Sequence, residues 1–204
     1  MATSPTESKV ASRPAATTDL RQQRRLAEEL DAALNENLKL RRAAESNQTQ
    51  SSGIAGRVAV LKDVLQRLPE QQIPQLSYAT EADWYAAVDG KLETAEDFRI
   101  ALARLRTLAE ARFAKILLPA LNAYLAANQN TFPSDVSQLG AFFTESVEPA
   151  ALQHYQIVRA NEIRSVKVGG EWAITQASLI DSEFDSHVVI GPSGYGSYGG
   201  RRSR

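Results

Sequence analysis

The chain has no cysteine, one methionine and two tryptophans in 204 residues. Without cysteine there is no disulfide, no thiolate metal site and no thiol nucleophile. Net charge is scarce as well, with 23 Lys and Arg against 24 Asp and Glu, a formal balance of -1. A chain so nearly neutral has no overall field to gather nucleic acid, so any such binding would rest on a local patch. Residues 1–19, MATSPTESKVASRPAATTD, hold no apolar run, so neither a signal peptide nor a membrane span is read there. The chain as written is expected in the cytoplasm; a leader preceding it would place it in the envelope.

Signatures of catalysis are missing too. There is no GxSxG and no HExxH, and the glycine-rich stretch after Val188 lacks the lysine and hydroxyl residue of a phosphate loop. The two histidines, His154 and His187, stand apart with no spacing that suggests a shared metal. Asp181, Glu183 and Asp185 alternate like the first ligands of a calcium loop, but Ser186 replaces the glycine and Pro192 the closing glutamate. A solvated turn is expected there. We read no catalytic, cofactor-binding or metal-ligating residue, and the expectation is a protein that is not an enzyme.

What the chain does have is helical periodicity. From Thr94 to Asn130, Phe98, Leu102, Leu105, Ala109, Phe113, Ile116, Ala120, Tyr124 and Ala127 recur at steps of three and four, the spacing of one buried helix stripe. Thr94 with Asp97 reads as a capping box, and Asn130 suits the left-handed closure of a helix. Pro119 removes one donor inside the helix, so a kink is expected between Lys115 and Pro119. Leu117, Leu118, Leu121 and Leu125 widen the stripe, which implies cover from more than one side.

Before it, Gln23, Leu26, Leu30, Ala33, Asn37 and Leu40 form a heptad seam, and Ile54, Val58, Leu61, Leu65 and Leu68 form a second one ended by Pro69. Asn37 is the kind of polar seam residue that fixes register, because its amide is satisfied only by a matching partner. The pair makes a coiled coil with another chain, a helical hairpin, or helices that pack on their own domain. Leu26, Leu30, Ala33, Asn37 and Leu40 are the expected partner contacts, with an identical chain or another protein. Thr80 with Asp83 marks a further short helix stopped by Gly90.

After the central helix, Pro133 and Pro149 each open a short helical turn, and the texture then changes to β-branched and aromatic residues from Tyr155 to Ile190. Gly169 and Gly170 are read as a hairpin turn. The fold class is therefore α+β: mainly helical, with a long central helix and a small C-terminal antiparallel sheet. Residues 1–18 are expected to be a disordered arm, 19–68 the coiled-coil or hairpin region, 69–191 an α+β domain around helix 94–130, and 192–204 a disordered tail. In that tail Tyr195, Tyr198, Arg201, Arg202 and Arg204 would contact RNA if the chain bound it.

The run Leu121 to Leu139, LNAYLAANQNTFPSDVSQL, resembles the helix-to-loop junction of type II secretion pseudopilins and related pilin-like proteins, through Tyr124, Phe132, Pro133, Ser134 and Leu139. Asn130 stands where that family has glycine, and the likeness covers about a tenth of the chain. It implies a C-terminal sheet after the junction and a role in envelope or secretion assembly. Three functional expectations follow: an interaction or scaffold protein that self-associates through its N-terminal heptads, a pilin-like assembly component, and an RNA- or small-ligand-binding module.

Overall fold

The computed structural model describes residue 25 and residues 27–39, 53–163 and 166–200. The protein is α+β, mainly helical, with its sheet at the C-terminal end. A helix over 27–39, α1, is followed by α2 (Ile54–Arg67), α3 (Glu81–Ala87), α4 (Ala95–Ala127) and the short α5 (Pro149–Gln153). Then come β1 (Tyr155–Arg159), β2 (Trp172–Gln176), β3 (Ser186–Gly191) and β4 (Gly194–Gly199), an antiparallel meander in the order β1-β2-β3-β4.

The spine is α4. Thr94 accepts a hydrogen bond from Asp97 N, and the Asp97 carboxylate accepts from Thr94 N at 2.9 Å, so two otherwise orphaned amides are satisfied where the helix begins. The same box, Thr80 with Asp83, opens α3. At the far end Gln129 and Asn130 take positive φ, and Asn130 N bonds back to Leu125 O at 2.8 Å. Helix α4 runs on through Pro119, which lies on the exposed side together with Lys115. The donor that Pro119 lacks would have bonded the carbonyl of Lys115, itself an exposed residue.

Two hydrophobic clusters divide the helix. Its first half, with Phe98, Leu102 and Leu105, packs with Val88, with Val58, Leu61 and Val64 of α2, and with Leu30 and Leu34 of α1. Its second half, through Phe113, Leu117, Leu121 and Leu125, packs under Tyr155, Ile174, Val188 and Ile190 of the sheet. The buried stripe keeps the expected Ala120 but drifts from Ile116, Tyr124 and Ala127 toward Leu117, Leu121 and Leu125, because the sheet approaches from a different side than the first three helices. Each fully buried leucine or phenylalanine contributes roughly 1.5–3 kcal/mol.

Helices α1 and α2 share one cluster with the first half of α4. Two sequence expectations need correction. Residues 166–168 are not a strand; they cross the outer face of the sheet, where Val166 and Val168 meet Ala173, Val189 and Tyr198. Gly191 and Gly196 allow that approach, because a Cβ at either would come within 2.7 or 2.8 Å of Val168 or Val166. Finally, the tail expected to be disordered from 192 instead supplies β4, whose six residues pair in continuous register with β3. Its residues alternate between half-buried and exposed, the two-residue period of a strand.

Candidate functional site

Two places gather side chains that could act on something else. The first is a polar ridge buried on α4. Arg99 and Arg106 lie seven residues apart, hence on one face of the helix and about 10.5 Å along it. The loop between β2 and β3 delivers Asp181, Glu183 and Asp185 to that face. Arg99 Nε and Nη2 donate to Asp181 at 2.8 and 3.1 Å, and Nη2 reaches Glu183 at 3.2 Å. Arg106 Nε and Nη2 donate to Asp185 Oδ1 at 2.9 and 2.6 Å, and Nη1 reaches Gln71 at 3.4 Å. Asp185 Oδ2 also accepts from Asp181 N at 2.9 Å, which ties the two acids into one turn. The expected solvated turn is therefore wrong for Asp181 and Asp185, which are 7% and 5% exposed.

One turn further along, Glu110 is 2% exposed. Its Oε2 accepts from the Tyr155 hydroxyl. Its Oε1 lies 3.1 Å from His154 Nε2, near enough for an ion pair but not aligned as a hydrogen bond, and no other donor reaches it. Burial, then the neighbouring Glu110 charge, pushes the Tyr155 phenol well above its usual range, so it stays protonated and donates. A cavity of about 10 Å³ adjoins this group, lined by Arg106, Glu110, His154, Gln176, Ser178 and Asp185. That is room for one water molecule. The charges of the ridge are spent on one another, and their evident work is to hold the β2–β3 loop and the α5–β1 junction against α4.

The second place is a groove of about 280 Å³ between α1 and α2, walled by Ala33, Leu34, Glu36 and Asn37 on one side and Val64, Arg67 and Leu68 on the other. Here the expected contact residues separate. Leu30 is 3% exposed and belongs to the chain's own core with Leu34, so the buried stripe of α1 runs Leu30, Leu34, Leu38. Ala33 and Asn37 flank that stripe, half-buried, and line the groove. Leu26 and Leu40 lie outside the described residues.

The histidines are brought to different surroundings: His154 to Glu110, and His187 to the outer face of the sheet, where its ring stacks on Tyr198 at 5.0 Å. Burial lowers the His187 pKa, partly offset by Asp185. Among the described residues no group of three His, Cys, Asp or Glu side chains is placed to hold a metal ion, and no helix is long and apolar enough to cross a membrane. Tyr195 and Tyr198 fall on opposite faces of β4, so they do not share one stacking surface. Arg201, Arg202 and Arg204 lie outside the described residues.

The sequence reading missed Arg99, Arg106 and Glu110 altogether. The available signal was the seven-residue spacing of two arginines within an apolar stripe, facing three alternating acids elsewhere in the chain. No known family model, curated protein or solved structure matches this chain.

Proposed function

We propose that this is a non-enzymatic interaction or scaffold protein that associates with a second copy of itself through the α1–α2 groove. The observation that supports it is the position of Ala33 and Asn37, two seam residues left lining an open groove while Leu30 and Leu34 anchor α1 to the body. The anchoring makes α1 a rigid wall, and a rigid surface loses less entropy on binding. Glu36 and Arg67 stand on opposite walls, so a two-fold axis running between the walls sets α1 against α2 of the other copy and brings Glu36 near the Arg67–Asp63 pair.

The test is sedimentation of the full chain beside Ala33→Glu and Asn37→Arg variants. Both sites are half-buried, so the fold is expected to survive, which circular dichroism checks. A fall in mass in either variant supports the groove; masses unchanged from the unaltered chain refute it.

A second reading is a pilin-like assembly component of the envelope. It draws on the placement of the sheet over Phe113, Leu117 and Leu121, directly before the junction at Phe132. The first half of α4 is covered by α1, α2 and α3, so such a component would use some other surface for assembly. Fractionation of cells that make the chain from its native gene decides this reading: recovery with the envelope supports it, and recovery only in the soluble fraction counts against it.

A further inference from the structure

The sheet has two edges, and they are treated differently. The β1 edge carries Gln156 and Arg159 and lies beside α5 and the 136–142 turn. Charge and a covering element are the usual ways of keeping an edge from pairing with another chain. Among the described residues, β4 carries no charge and no element pairs with its outer edge. Its residues, GYGSYG, include no charge and no proline, and the strand pairs without a bulge.

The direction of its backbone groups follows from β3. Val188 N donates to Gln176 Oε1 at 2.8 Å, and Val188 O accepts from Thr175 Oγ1 at 2.9 Å, so the backbone of Val188 faces β2. Alternation along the strand turns His187, Val189 and Gly191 toward β4, where their partners are Tyr198, Gly196 and Gly194. The amides of Tyr195, Ser197 and Gly199 therefore point away from the sheet. Tyr195 is 37% exposed, one of only two large hydrophobic residues so placed among those described.

We infer that the β4 edge pairs antiparallel with the β4 edge of a second copy of this chain, centred on Ser197, to join two four-stranded sheets into one. The sequence of the strand is complementary to itself in that register. Tyr195 falls opposite Gly199 on the inner face, so that ring lies over a residue without a side chain, while on the outer face Val166 covers Gly196 and the Tyr198 ring stays stacked on His187. Ser197 meets Ser197 on the axis, where two hydroxyls can bond each other. The amides of Ser197 and Gly199 then find the carbonyls of Ser197 and Tyr195, while the Gly199 carbonyl accepts from Ser186 Oγ within its own chain, and no charge within β4 opposes its counterpart. A two-fold pairing of this kind needs no second surface. This contact uses no residue of the α1–α2 groove, and the two stand or fall separately.

The test uses the full chain with the groove blocked by Ala33→Glu. Sedimentation at high micromolar concentration is expected to give a dimer, and adding Ser197→Pro is expected to return it to monomer. The N–H removed there bonds nothing within the protomer, so the edge strand tolerates the proline and circular dichroism should not change. In a chain without native cysteine, Ser197→Cys supplies a single thiol, and mild oxidation is expected to link two copies, because opposed strand residues lie about 5.5 Å apart at Cα, within disulfide reach. Ala33→Glu that sediments as a monomer, Ser197→Pro that leaves the dimer intact, or Ser197→Cys that stays unlinked would each overturn the proposal.

Discussion

Arg106 in the middle of α4 and Asp185 at the entrance to β3, 79 residues apart in the chain, meet as a buried ion pair closed by two guanidinium nitrogens on one carboxylate oxygen. Both are less than 10% exposed. This contact fixes where the β2–β3 loop sits on the spine. Asp185→Ala is expected to destabilise the protein by about 3–5 kcal/mol in urea unfolding, because the guanidinium is left buried and uncompensated. Replacing both partners with leucine is expected to cost much less than Asp185→Ala alone. Equal losses in the two proteins would mean that the pair does not act as a unit.

Asp83 carries a second prediction. Burial pushes its carboxyl up, but hydrogen bonds from Arg112 and Thr80 outweigh that and hold it at about 2, against 3.8 for the free group. A depressed carboxyl adds stability that is complete above the unfolded value and is lost as pH falls from about 4 toward 2. Arg112 is 40% exposed, so solvent screening limits the contribution to roughly 1–2 kcal/mol. Asp83→Asn should flatten the acid limb of stability against pH in that window. An unchanged acid limb would remove Asp83 from the account.

Tyr155 is expected to resist ionisation. Its raised pKa means stability that is present below about pH 10 and lost as pH rises through the folded value. Absorbance near 295 nm on alkaline titration should show one tyrosine that ionises only with unfolding, and Tyr155→Phe should abolish that late step. The same substitution deprives Glu110 Oε2 of its donor, at a cost of about 1–3 kcal/mol.

How much of this was written in the sequence depends on the range over which each feature is encoded. The caps at Thr80 and Thr94 and the helix stop at Asn130 were legible because each is decided within a few residues. Leu30 was legible as buried but not as to what buries it, since a heptad face looks the same whether it meets another chain or its own α2. The Arg106–Asp185 pair was invisible because nothing local distinguishes an arginine that will be buried from one on a solvated face. The strand at Gly194–Gly199 was missed for a related reason: a glycine-rich segment has little strand propensity of its own and becomes a strand here by pairing with β3.

Gly191 gives a prediction about packing on the outer face of the sheet. A Cβ there would lie 2.7 Å from both the side chain and the carbonyl of Val168. Gly191→Ala is expected to destabilise by about 1–3 kcal/mol, and Val168→Ala made together with it should recover only part, since the carbonyl clash stays. Full recovery would place the strain in the side chain alone.

The central claim is self-association through the groove. It is tested most directly by sedimentation equilibrium of the full-length Ser197→Pro chain, in which the sheet edge cannot contribute. A species of twice the 22.3 kDa chain mass is expected in the micromolar range, reduced to 22.3 kDa when Ala33→Glu is added. A Ser197→Pro chain that sediments at 22.3 kDa at high micromolar concentration would contradict it.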